Sequence, residues 1–325
     1  MIPAWFTHNR LYDLARSGRR LTPWWGVIII GILIALLSQV LSLPVIIAEV
    51  LLTGGVLEAD KVGVSPVVSG VWLSLLLTVS FGALILLTWL WIRFYEGRGI
   101  TSVGLVDPQR GLFLYGRGML IGLTIFSTIV GILAPFGFIA VEVGDPAHVG
   151  MAALGGVLLM LIPGWLIQGA AEEVLTRGWM LPTLAVRYRP WVGVLISSLF
   201  FAVMHGLNPN LSFLALLNLF LYGMFAALYA LREESLWGIC AFHSIWNWAQ
   251  GNLFGLAVSG QTVSGGMLFN LMETGPDWLT GGTFGPEGGL ATTIVLVISM
   301  AIIWWWPTVD TRPKVPEPIS VKRQG

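Results

Sequence analysis

Charge is what this chain has least of. Only 10% of its 325 residues are Asp, Glu, Lys or Arg, where a soluble globular protein carries roughly 25%. So few charges cannot cover a water-facing surface on a chain this long, so lipid must be the main solvent. A mean hydropathy of +0.82 points the same way. An excess of one sign is also missing, with 17 basic against 17 acidic side chains. That balance gives no basis for binding nucleic acid or for a general basic patch. Cysteine is nearly absent. Cys240 stands alone, which excludes an intrachain disulfide and a Cys-rich metal site. No internal repeat and no separate soluble domain is legible. No cleaved leader is expected, because the first apolar run begins near Trp24 and is too long for a signal peptide.

What is there is a succession of long apolar runs. A spanning helix needs about 20 mostly apolar residues. Eight runs qualify as candidates, at 24–52, 71–92, 119–141, 151–184, 191–205, 211–231, 236–258 and 290–306. Pro44 is expected to kink or end the first. Pro163 splits the fourth, and the fifth is short unless its neighbours extend it. The expected fold class is an all-α polytopic membrane protein, a bundle of about eight transmembrane helices with an intramembrane polar cavity. Three regions follow: 1–145 with three helices, 146–258 with four, and 259–325 with a long loop, the last helix and a tail.

The cations test this count, since Lys and Arg concentrate in cytoplasmic loops. Arg10, Arg16, Arg19 and Arg20 precede the first run, and Arg93, Arg98, Arg110 and Arg117 follow the second. Arg177 lies in the last turns of the fourth and Arg187 and Arg189 follow it, Arg232 follows the sixth, and Arg312, Lys314, Lys322 and Arg323 follow the eighth. Only Lys61 falls in an alternate gap, so 16 of the 17 cations share one side. Both termini are expected in the cytoplasm, and the Gly- and Thr-rich stretch 260–289 on the outer face. The expected location is a prokaryotic plasma membrane. The Pro-rich tail 307–325 is expected to be disordered.

Ionisable groups inside spanning segments are unfavourable by about 2.5–3.5 kcal/mol each and are functional candidates by default. They cluster in the second half of the chain. The fourth run ends in QGAAEEVLTRGW, with Gln168, Glu172, Glu173 and Arg177. Glu173 and Arg177 are four apart on one helix face and can neutralise each other. Glu172 points about 100° away, with Gln168 and Thr176 on its own face and no cation at helical spacing. A carboxylate desolvated without a cation suits proton transfer. Both acids could instead sit in water at the cytoplasmic end of the helix. The fifth run ends in FFAVMHG, with Phe201 and His205; a lone His at a helix end is usually structural. The seventh holds CAFHSIWNW, in which His243 and Asn247 share a face. That pair could equally be interhelical glue. Cys240 reads as a small buried hydrophobe. Counted from the cytoplasmic charges, Glu172, His205 and Asn247 fall at roughly 20–24 Å and His243 at roughly 14 Å. Polar groups from three helices can therefore meet inside the bilayer.

These residues, in this order, resemble the CPBP family of CAAX-protease and bacteriocin-processing intramembrane endopeptidases. Its Glu-Glu-x-x-x-Arg motif is matched by Glu172, Glu173 and Arg177, its Phe-x-x-x-His by Phe201 and His205, and its His-x-x-x-Asn by His243 and Asn247. The resemblance covers about 150–251, and Thr176 departs from it by standing where the family often has Phe. It implies that 146–258 is the catalytic core. It further implies that Glu172 with His205 activates a water, that His243 and Asn247 hold the oxyanion, and that Glu173 and Arg177 orient Glu172. An older reading of the family makes Glu172, His205 and His243 ligands of a catalytic zinc; the metal-free reading is preferred because Asn247 is a good donor and a poor zinc ligand. The expected partners are the bilayer and a peptide or protein substrate, prenylated or otherwise membrane-bound. A non-catalytic adaptor or immunity protein using the same cavity is the alternative. A proton-coupled transporter ranks last, because repeated halves with paired broken helices are missing. The 16 Trp residues suit interface belts as well as an isoprenoid groove, so the sequence does not identify the substrate.

Overall fold

The computed structural model describes residues 2–55 and 64–305. Lys61, Trp306 and the tail 307–325 lie outside the described residues. Two short helices, α1 (Ala4–Thr7) and α2 (Arg10–Arg16), precede the first long one. Trp5, Phe6, Leu11 and Tyr12 bury their side chains there. No apolar run of spanning length marks them, and they were not expected.

The bundle then runs α3 (Trp24–Thr53), α4 (Pro66–Leu90), α5 (Pro108–Leu133), α6 (Leu154–Leu159), α7 (Leu166–Glu173), α8 (Leu181–Arg187), α9 (Pro190–Met204), α10 (Phe213–Glu233), α11 (Trp237–Trp248), α12 (Asp277–Thr280) and α13 (Leu290–Trp305). Proline at the first turn, where no N–H is needed, starts α4, α5 and α9. Five helical stretches among the described residues are long and apolar enough to cross a bilayer by themselves: Trp24–Thr53, Pro66–Glu96, Ile100–Phe136, Gly150–Arg187 and Phe213–Glu233. Pro190–Met204 and Leu290–Trp305 are shorter apolar helices, and α11 is extended by a π-helical turn over Ala249–Leu253. The protein is an all-α polytopic membrane protein, and each of the eight expected runs contains a helix.

α3 runs through Pro44 to Thr53, close to the expected end at 52, and stops at Gly54 with φ +70. The third run differs from expectation. The third helix starts at Pro108 and stops at Leu133; the 3-10 turn Ala134–Phe136 and Gly137 at φ +72 turn the chain away. Ile139–Val141, read as helix, is instead strand β1, paired antiparallel with β2 (Leu271–Glu273). A spanning-length apolar count does not register so short an edge. Pro163 does interrupt the fourth stretch, where Ile162 has φ −122 and ψ 115. The Ser74 hydroxyl of α4 accepts from the freed Gly164 N–H at 3.1 Å, and the Trp165 indole donates to Asn252 at 2.8 Å. A broken helix at membrane depth needs such partners.

The two ends of the bundle differ. At one, Arg19 N–H donates to the Glu96 carbonyl at 2.8 Å, Leu236 N–H to Gly104 at 3.1 Å, and the Arg187 guanidinium to Leu21 at 3.0 Å. Here Glu96 and Arg98 form a buried ion pair at 2.7 Å, joined by the Trp179 indole at 3.0 Å. The other end gathers β1, β2 and the loop from 255 to 289, where Glu142 N–H donates to Asn270 at 2.8 Å.

Glycines let the site-bearing helices touch. A Cβ at Gly169 of α7 would lie 2.5 Å from the Ser244 nitrogen of α11, and one at Gly118 of α5 would lie 2.1 Å from the Gly238 carbonyl oxygen. Small residues at such crossings permit backbone approach in lipid. α11 is thereby held between α5 and α7, with its polar face against the Glu-Glu pair.

Candidate active site

Glu172 and Glu173 close α7, and a π-helical turn, Val174–Met180, follows directly. Such turns occur often at functional sites. Glu173 and Arg177 are both fully buried and lie 3.2 Å apart. The guanidinium also donates to Thr176 Oγ1 at 2.6 Å and to the Gly223 carbonyl at 3.1 Å, and its carbon lies 4.7 Å above the Phe201 ring.

His243 enters from α11 between the two acids. Its Nδ1 lies 2.8 Å from Glu173 Oε1, and its Nε2 lies 3.7 Å from Glu172 Oε2. Helical spacing pairs Glu173 with Arg177 alone; the contact to His243 spans 70 residues and leaves no trace in spacing. Asn247, one turn on, donates from Nδ2 to Gln168 Oε1 at 2.8 Å. Gln168 Nε2 in turn donates to Glu172 Oε1 at 3.0 Å. One carboxylate oxygen of Glu172 is thus fixed through α11. The other, Oε2, is buried and accepts no hydrogen bond.

His205 follows the last turn of α9. Its Nδ1 lies 2.8 Å from the Phe201 carbonyl oxygen. A carbonyl only accepts, so Nδ1 carries the proton and Nε2 is left for other partners. The Phe201 ring lies 4.6 Å from the His205 ring and 6.0 Å from the His243 ring.

These groups face one cavity of about 710 Å³. Glu172, His205, His243, Asn247, Gln168 and Phe201 line it, whereas Glu173 and Arg177 stand behind the wall. Apolar side chains of α3 and α4, among them Leu36, Leu73, Leu77 and Phe81, form the opposite side. Cys240 is buried against the Ala170 carbonyl at 4.0 Å and lies away from the cavity.

Residues 154–249 match the family Type II CAAX prenyl endopeptidase Rce1-like. The similarity to an Rce1-like domain is confined to this stretch. Neither curated proteins nor solved structures gave a match. The matched stretch contains all seven motif residues, from Glu172 to Asn247. It does not contain α3 and α4, which complete the cavity wall, or Glu287, which lies in the Gly- and Thr-rich stretch 260–289.

Glu287 also lines the cavity. Its carboxylate accepts from the Ser259 N–H, and the Asn218 amide of α10 donates to the Glu287 and Gly289 carbonyls at 2.8 Å each. Burial pushes its carboxyl up from the ordinary range, opposed by the hydrogen bond from Ser259. The loop therefore folds back as a wall of the site beside the matched stretch. A lone Glu in a Gly-rich stretch gives no sequence signal of this. Among the described residues no group of three or more His, Cys, Asp or Glu is gathered closely enough to hold a metal ion. Glu172, His205 and His243 share the cavity without forming such a set.

Proposed function

We propose that the protein is an intramembrane endopeptidase in which Glu172 is the general base. The observation that carries this is the division within the acidic pair: Glu172 faces the cavity with a free oxygen, while Glu173 is spent on Arg177 and His243. Glu172 Oε2 takes a proton from water as the water oxygen attacks a peptide carbonyl. His205 Nε2 assists from the same cavity. In this reading His243 acts as an imidazolium, with Nδ1–H held by Glu173 and Nε2–H turned to the cavity. Nε2–H and the second Nδ2 hydrogen of Asn247 then hold the developing oxyanion. Donors preorganised in a dry site act mainly in the transition state. The Rce1-like match supports a membrane-embedded peptide or protein substrate, and the apolar wall of α3 and α4 suits its lipid-facing part. Pull-down with Glu172→Ala, compared with wild type by mass spectrometry, should enrich uncleaved substrate; equal recovery with both would count against the reading.

The mechanism uses no metal. Activity should survive exhaustive chelation, and the purified protein should hold no stoichiometric zinc. One zinc per chain, with activity lost on chelation and restored by zinc alone, would make Glu172, His205 and His243 ligands and leave the site where it is.

We further infer that the basic end of the bundle is cytoplasmic, on the distribution of cations. Cysteines introduced at Asp145 and Asp277 should then react with an impermeant maleimide added outside intact cells. Protection of either until lysis would reverse the orientation.

A further inference from the structure

Tyr222 stands on α10, one turn after Asn218, and lines the same cavity as Glu172, His243 and Asn247. Its side chain is fixed by packing. The ring stacks on Phe201 at 5.4 Å and meets His243 edge-on at 5.2 Å and Trp246 at 5.9 Å. The residue is 7% exposed, yet its hydroxyl has no hydrogen-bond partner in the protein. Buried hydroxyls are normally matched, and an unmatched one in a native core calls for a reason. The charged groups within electrostatic reach of the phenol are Glu173, Arg177, Glu172 and Glu287, which places it at the polar end of the cavity.

The other polar side chains there are each tied to a neighbour. Asn247 Nδ2 is bonded to Gln168, Gln168 Nε2 to Glu172, and His243 Nδ1 to Glu173. Each of these side chains is anchored by at least one such bond, whereas the phenol makes none. We propose that the Tyr222 hydroxyl is a third donor to the tetrahedral oxyanion, beside His243 and Asn247. The inference rests on the endopeptidase reading and adds a catalytic residue that the three motifs do not contain. No bond to Tyr222 forms or breaks: the phenol keeps its proton, and its hydrogen bond strengthens as the carbonyl oxygen gains charge. Its contribution therefore belongs to kcat rather than to KM.

The test is Tyr222→Phe in proteoliposomes, with a lipid-anchored, internally quenched peptide library as the probe and Glu172→Gln in parallel. Phe keeps the ring and its packing and removes one oxygen. The expected result is a fall of about 100-fold in kcat, the size seen when one oxyanion donor is removed. KM should be unchanged, and Tm no lower than wild type. A purely structural role would lower Tm and leave kcat per folded molecule intact. If wild type cleaves, Glu172→Gln does not, and Tyr222→Phe keeps wild-type kcat, this proposal alone falls. If wild type releases no product, or Glu172→Gln cleaves as wild type does, the endopeptidase reading falls and takes the proposal with it.

Discussion

Glu172→Gln is expected to remove catalysis while leaving the fold in place. Gln keeps the shape of the side chain and can still accept from Gln168 Nε2, the bond that holds Oε1 at 3.0 Å. It cannot take a proton from water. Loss of a positioned general base lowers the rate by about 10²–10⁴-fold. Stability should change little, because Oε2 has no hydrogen bond to lose. Initial cleavage rates and thermal unfolding measured on one preparation check both halves. A variant that cleaves within a few-fold of wild type would remove Glu172 from the mechanism.

Glu173→Gln is expected to behave in the opposite way, with the main loss in stability. Glu173 and Arg177 are both fully buried at 3.2 Å, and His243 Nδ1 leans on the same carboxylate at 2.8 Å. A neutral amide leaves the Arg177 charge buried without a counter-ion, facing only neutral acceptors such as Thr176 and Gly223. Removing one partner of a buried pair destabilises by about 3–5 kcal/mol. The amide can also present N–H₂ to His243 and turn the ring, so activity should fall as a consequence. Unfolding in detergent should shift to markedly lower temperature for Glu173→Gln and not for Glu172→Gln. Unchanged thermal stability in Glu173→Gln would contradict the assignment of Glu173 as the structural partner.

The pairing of Glu173 with Arg177 was legible in the sequence because it rests on helix geometry alone. Four residues separate Glu173 from Arg177, so they share a face, and Glu172 cannot join them. The long apolar stretches were legible for a similar reason, since bilayer thickness sets their length. Contacts between helices were not. Nothing in CAFHSIWNW says that His243 turns toward Glu173, because the rotation of α11 is set by its crossings at Gly169 and Gly118. Gln168 was visible as a neighbour of Glu172, but its bridge to Asn247 needs two helices in place. Glu287 and β2 were hidden for another reason. They lie in a loop without periodicity, and what fixes them is Asn218 and the edge of β1. α1 and α2 were missed because seven residues or fewer give too little periodic signal.

The most direct measurement is mass spectrometry of peptides released from the lipid-anchored library by metal-stripped, reconstituted protein in H₂¹⁸O. Attack by water predicts a new C-terminus carrying one ¹⁸O from the solvent with wild type, and no new terminus with Glu172→Gln. Wild type that yields no new terminus, or a Glu172→Gln variant that yields the same labelled terminus at the wild-type rate, would contradict the account.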